Sequence, residues 1–335
     1  MTSHPPLALT MGEPAGIGGE IAFAAWRATR ERHPFVLIDD PARLARLAQQ
    51  LGLAVPIETV SSPADAVTSF PHALPVLPLG EAVPSTPGRL DPATAPATLK
   101  SIEMAVELAQ RREVRGVVTN PIHKANLLAS GFQHPGHTEF LAALSGVPRT
   151  VMMLAAPTLR VVPVTIHIAL EKVPGALTAE AIVETARITD AALKRDFGIE
   201  APRLVAAGLN PHTGEDGRMG TEDRDVIAPA VAALRADGID IVGPRSADTM
   251  FHAAAREAYD AALCMYHDQA LIPIKTIAFD DGVNVTLGLP FVRTSPDHGT
   301  ALDIAGQAIA RPDSLIAAID LAATLGARRL ERTSP

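Results

Sequence analysis

The feature that most constrains this chain is an alternation, kept almost from end to end, of short apolar runs with longer amphipathic stretches. "LALTM", "FVLID", "RGVVT", "LRVVPVTI", "RLVAAGL", "DAALCMY" and "VNVTL" are five to eight residues long and almost wholly apolar, as strands covered on both faces require. Between them, "ATLKSIEMAVELAQ" sets Leu99, Ile102, Val106 and Ala109 on one helical face, and Ile182, Ala186, Leu193 and Phe197 repeat the pattern further on. The alternation predicts an α/β fold with a largely parallel sheet. At 335 residues such a chain is long enough for two domains and for a core that removes roughly 75% of the unfolded surface from water.

Local signals refine the pattern. Thr221 followed by Glu222 and Asp223 predicts an N-cap and a helix starting near residue 222. The proline-rich stretch from Val55 to Pro92, with "PLGEAVPSTPGRLDP", is expected to be a meandering surface excursion. No repeat, low-complexity tail or Ser/Gly-rich linker marks a domain boundary.

A net charge of −8 argues against nucleic acid or an anionic membrane as partner. Cys264, the single cysteine, cannot form an intrachain disulfide and reads as a small buried hydrophobe in a reducing compartment. The segment "MTSHPPLALTMG" lacks a basic residue ahead of its apolar run, so it is a poor signal peptide, and no run reaches the length of a membrane span. A cytoplasmic location is expected.

Chemistry concentrates at strand ends. His167, His212 and His267 each follow an apolar run, the end at which parallel α/β sheets bind ligands. Three imidazoles from distant segments, leaving a coordination position open, suit a catalytic divalent ion. Asp268 or Asp248 is a candidate to orient a ligating imidazole, and either is equally a solvated loop acid. His137 and Thr138 precede a helix expected from Glu139, an arrangement that serves either an anion or a plain N-cap. Lys275, Asn284 and Arg293 are isolated polar residues in apolar runs and point to a ligand with acid groups, although a lone cation also pairs with an acid or snorkels. Gly12, Gly16, Gly18 and Gly19 in "MGEPAGIGGE" match neither a dinucleotide nor a P-loop spacing, leaving a tight turn or a ligand-facing loop open. "RTSPDHGTALDIAG", from Arg293 to Gly306, reads as a binding loop running into a helix.

Taken in order, "GEPAGIG", "TNPIHK", "PGHTEFL", "HIAL", "GLNPHTGEDG", "ADTMF", "MYHDQALIPIK" and "VNVTLGLPFVRTSPDHGTALDIAG" resemble the 4-hydroxythreonine-4-phosphate dehydrogenase family of pyridoxal 5′-phosphate (vitamin B6) biosynthesis, over nearly the whole chain. "IAL" after His167 and "DQAL" after His267 depart from the family's "IPL" and "DQGL", which changes backbone freedom more than chemistry. The resemblance implies a two-domain fold similar to isocitrate and isopropylmalate dehydrogenases, with an active site in the interdomain cleft. It implies a discontinuous NAD-binding domain of residues 1–130 plus 275–335, and a domain of 131–274 that carries metal ligands and a homodimer interface. It implies NAD, or NADP, at His298, Gly299 and Thr300, and zinc, cobalt or magnesium on His167, His212 and His267, drawn from both chains of the dimer. Substrate would meet His137, Thr138, Lys275, Asn284 and Arg293, with the three histidines, Lys275 and Asp248 forming the catalytic set.

The reaction so implied is NAD-linked oxidation of 4-phosphooxy-L-threonine to 2-amino-3-oxo-4-phosphooxybutanoate, which decarboxylates to 3-amino-2-oxopropyl phosphate. Oxidation of a phosphorylated four-carbon sugar acid or a carboxylated dihydrodiol is the nearest alternative, and phosphate acyl transfer on a similar architecture is more distant.

Overall fold

A computed structural model describes residues 4–134 and 136–333. The chain folds into two units, Met1–Pro148 with Leu289–Pro335, and Arg149–Gly288. The divisions fall further along the chain than residues 130 and 274, so His137 and Thr138 belong with Arg293, whereas Lys275 and Asn284 belong to the inserted unit.

Among the described residues twelve strands carry the fold: β1 (Leu7–Thr10), β2 (Phe35–Asp39), β3 (Ile57–Thr59), β4 (Leu74–Pro78), β5 (Val117–Val118), β6 (Val151–Ala156), β7 (Leu159–Pro163), β8 (Leu204–Ala207), β9 (Ile241–Arg245), β10 (Ala261–Cys264), β11 (Val283–Leu287) and β12 (Arg293–Pro296). In the first unit the order is β3-β4-β2-β1-β5-β12, with every pairing parallel. β1 and β2 are buried along their whole length, which is why they read as unbroken apolar runs. The helix Ala95–Gln110 covers β1 with the expected face: Ile102, Val106 and Ala109 are buried and Leu99 packs against the same core. The helix Asp313–Thr333 packs on β12.

The second unit is mixed, in the order β11-β6-β7-β10-β8-β9. β6 pairs antiparallel with both β11 and β7, and β7-β10-β8-β9 is parallel. The helix Ala179–Arg195 buries Ile182, Ala186 and Leu193, and Phe197 is buried just past its end. Cys264 is buried in β10, where desolvation pushes its thiol far above the ordinary range. Among the described residues no helix is long and apolar enough to cross a membrane.

Three local expectations are corrected. The 55–92 stretch contains regular structure: β3, β4 and the helix Pro63–Ser69, which opens on a Ser62–Asp65 capping box with Pro63 at its first position. The helix expected from Glu139 begins at His137, with Gly136 as its N-cap, so Thr138 sits inside the first turn and is not the cap. The helix expected near residue 222 does start there, as a π-helical turn, Asp223–Ile227, that follows Glu222 and leads directly into the helix Ala228–Ala236; only the cap is corrected, since no side chain caps this start.

Candidate active site

In the second unit, the parallel strands β7, β10 and β8 lie side by side, and His167, His267 and His212 follow their respective carboxyl ends. β7 and β10 are joined just past these ends, where the Val164 N–H donates to Cys264 O and the Thr165 hydroxyl to Met265 O. The His167 and His267 rings consequently come within 5.7 Å, centroid to centroid. Both line a cavity of about 300 Å³ with Thr165, Leu170, Tyr266 and Asp268.

His267 is the first residue of the helix His267–Ile277, and its Nδ1 lies 2.7 Å from Asp268 Oδ1. That contact holds the ring beside a carboxylate, the arrangement by which an acid orients an imidazole for a metal. Of the two acids considered, Asp268 makes this contact. Asp248 is exposed and accepts instead from the Ser246 hydroxyl at 2.7 Å.

His212 sits in an unusual loop. His212, Thr213, Gly214, Glu215 and Asp216 all have positive φ, a short left-handed coil that L-residues adopt only at a cost. The buried Asp223 carboxylate braces its entrance, accepting from the Leu209 N–H and from both nitrogens of Asn210. His167 also has positive φ, 46°. His212 is exposed and meets Glu215 Oε1 at 3.1 Å. Among the described residues no group of three His, Cys, Asp or Glu converges within one chain, so the fold pairs His167 with His267 and leaves His212 apart. Lys275 is half-buried on the helix that His267 opens, 6.0 Å from the Phe279 ring centre, and Asn284 lies half-buried in β11 opposite Leu154.

The first unit gathers the other polar groups. Arg293 opens β12 and is 4% exposed, with the Thr119 hydroxyl 3.2 Å from its Nε and 2.6 Å from its Nη2. Desolvation pulls its pKa down to about 10, still cationic at neutral pH. His137 lies at a helix start whose first N–H groups have no partner within the helix; its Nε2 is buried without a hydrogen bond. Burial, reinforced by the Arg293 charge, holds its pKa well below the ordinary histidine value. Neutral imidazole, guanidinium and helix N-terminus together suit an anion.

Thr119 and Lys124, both from "TNPIHK", were not singled out by sequence; the Lys124 ammonium comes within 3.9 Å of the position a Cβ on Gly136 would take. Glu139 is an opposing presence there, its carboxylate folded back over Gly136. Pro135 of "PGHTEFL" and residues 1–3 of the N-terminal segment lie outside the described residues.

His137 makes a pH prediction. A histidine whose folded pKa is lowered binds fewer protons folded than unfolded, so the stability it permits is complete above the unfolded value and is lost as pH falls below about 6.5. Thermal melts across that window are expected to show a smaller acid loss in His137→Gln than in the parent; an identical loss would contradict a buried neutral imidazole.

The loop 298–308 is the last element; it does not run into a helix as expected but stays in turns, and the next helix begins only at Asp313. Gly16 is there because a Cβ would lie 2.8 Å from Thr300 O, and Ile17 N–H donates to that same oxygen. The "GEPAGIG" glycines thus let one loop pack against another. His298 Nδ1 contacts Gly299 O at 2.9 Å, while its Nε2 is buried without a partner, and a Cβ on Gly299 would meet open space.

A family model described as pyridoxal phosphate biosynthetic protein PdxA matches residues 30–322. A relative from Methylorubrum populi named 4-hydroxythreonine-4-phosphate dehydrogenase is 61% identical over 98% of this chain and 97% of its own. The crystal structure of the Klebsiella pneumoniae protein of that name superposes with a TM-score of 0.89 at 36% identity, covering 96% of this chain and 99% of that one. A terephthalate 1,2-cis-dihydrodiol dehydrogenase from Burkholderia xenovorans superposes less closely, at 0.66 and 30% identity, over 96% and 98%.

Proposed function

The chain belongs to the PdxA family of pyridoxal phosphate biosynthetic proteins, and from that premise we propose that it is an NAD-linked dehydrogenase of 4-phosphooxy-L-threonine. Whole-length identity to proteins named for this activity carries the reading, and the Arg293–His137 anion pocket fits a phosphorylated amino acid. The nicotinamide, when bound, would supply the acceptor for the C3 hydride; the hydroxyl proton would pass to solvent or a base, and the product would be a ketone β to the carboxylate. Loss of carbon dioxide then gives 3-amino-2-oxopropyl phosphate.

In this reading Arg293, the His137 imidazole and the first turn of the helix His137–Ser145, with Thr138, hold an anionic end of the substrate. Lys275 and Asn284 supply further polar contacts. Fixing the substrate in this way orients the reacting C–H, a contribution that reaches several kcal/mol. His298, Gly299 and Thr300 receive the cofactor: the orphaned His298 Nε2 and the space beside Gly299 fit a bound group. NAD is the assignment, with NADP as the variant.

His167 and His267 fit a divalent ion, since their rings share one cavity and Asp268 orients one of them. The ion, zinc, cobalt or magnesium, would supply a Lewis acid that lowers the pKa of the substrate hydroxyl. A third ligand, His212, would come from the second chain of a homodimer. Ile168 and Leu170 at the cavity, 42% and 68% exposed, and Ile272 on the adjoining helix, 64% exposed, are the apolar surface such a partner would cover. A cytoplasmic location suits this biosynthetic role.

The test is NADH formation by the purified protein with 4-phosphooxy-L-threonine beside a carboxylated dihydrodiol and a phosphorylated four-carbon sugar acid. The phosphorylated amino acid is expected to give the highest kcat/KM; preference for either alternative would overturn the substrate assignment.

A further inference from the structure

We infer that Glu20 is a positioning residue that holds the cofactor loop in its binding conformation. The inference rests on the reading that residues 298–300 receive the nicotinamide cofactor, and it concerns a side chain in the first turn of a different element, the helix Gly18–Thr29.

Three observations carry it. Glu20 is 6% exposed, and a buried carboxylate needs donors. It finds them in the loop: one oxygen accepts from the Gly306 N–H, and the other from the Ala308 N–H at 3.1 Å. The loop it grips is backbone-strained, with Ala301, Gly306 and Ala308 at φ of 44°, 80° and 57°. Two of the three are alanines, which pay for the left-handed region and keep it only when surroundings over-determine it.

Two glycines also pack closely against the same loop. A Cβ on Gly16 would lie 2.8 Å from Thr300 O, and one on Gly88 would lie 3.0 Å from Leu302 O. These fix how close the loop sits but provide no grip on its far end. Glu20 supplies that grip with charge-assisted hydrogen bonds, so the 298–300 segment is set before cofactor arrives and its ordering is not charged against binding.

The test compares Glu20→Ala, Glu20→Gln and His298→Ala with the parent protein by NADH fluorescence titration and by steady-state kinetics. Glu20→Ala loses both acceptors and is expected to raise the Kd for NADH about tenfold or more. Glu20→Gln keeps the volume and one acceptor, and falls between. KM for 4-phosphooxy-L-threonine is expected to move less than about twofold, and saturating NAD to restore kcat, a split that general loosening of the fold would not give. Weakened NADH binding in His298→Ala but not in either Glu20 variant overturns the inference and leaves the cofactor site standing. Unchanged binding in all three overturns both.

Discussion

His267→Ala is expected to lower kcat with 4-phosphooxy-L-threonine by about 1,000-fold or more, since a divalent ion supplies several kcal/mol of charge stabilisation and each 1.36 kcal/mol is tenfold in rate. The residue sits at a strand end and opens a helix with its side chain 37% exposed, so its removal opens no cavity in the core and the melting temperature should stay near that of the parent. Bound divalent metal, measured per chain, should fall with the activity. Asp268→Asn keeps the shape but weakens the group that orients the ring, for which about a 10- to 100-fold loss is the expected graded result. Full turnover in His267→Ala, insensitive to chelator, would remove the metal from the account.

Arg293→Ala is the second large effect. The guanidinium is buried beside His137 and Thr119 and remains cationic at neutral pH, with its pKa about 10. Truncating one partner of a buried charged contact costs about 2–5 kcal/mol, so KM for the phosphorylated substrate should rise about 100-fold while KM for NAD changes little. Arg293→Lys keeps the charge and loses the fork geometry, which predicts partial recovery. Equal rises in both Michaelis constants would place Arg293 outside the substrate pocket.

Strands covered on both faces were legible because their burial writes unbroken apolar runs: all seven that the sequence marks are strands, from β1 to β11. The five others were hidden for separate reasons. β4, "LPVLP", carries prolines that normally mark loops, and β3 is a short, largely exposed edge. β12, "RTSP", is polar by composition yet wholly buried beneath the helix Asp313–Thr333. β6 and β7 are joined by Pro157 and Thr158, which lack the glycine or asparagine of a typical hairpin turn. β9, "IVGPR", is broken by glycine and proline.

The candidate site was legible where chemistry coincides with a strand end, as at His167 and His267, whose rings line one cavity. It was illegible where a residue acts by holding backbone. Glu20 reads in sequence as an ordinary acid in a first helical turn, and its contacts lie more than 280 positions away, at Gly306 and Ala308. Asp223 likewise read as helix-dipole partner, whereas it braces the loop of His212. The left-handed run from His212 to Asp216 contains only one glycine, so no local preference announces it.

The measurement that tests the central claim most directly is NADH formation from 4-phosphooxy-L-threonine by protein stripped with chelator, then resupplied separately with zinc, cobalt and magnesium. Loss of turnover on stripping and its return with at least one of these ions is the predicted result. Turnover that survives complete removal of metal, or protein that binds the ions yet forms no NADH with this substrate, would contradict the account.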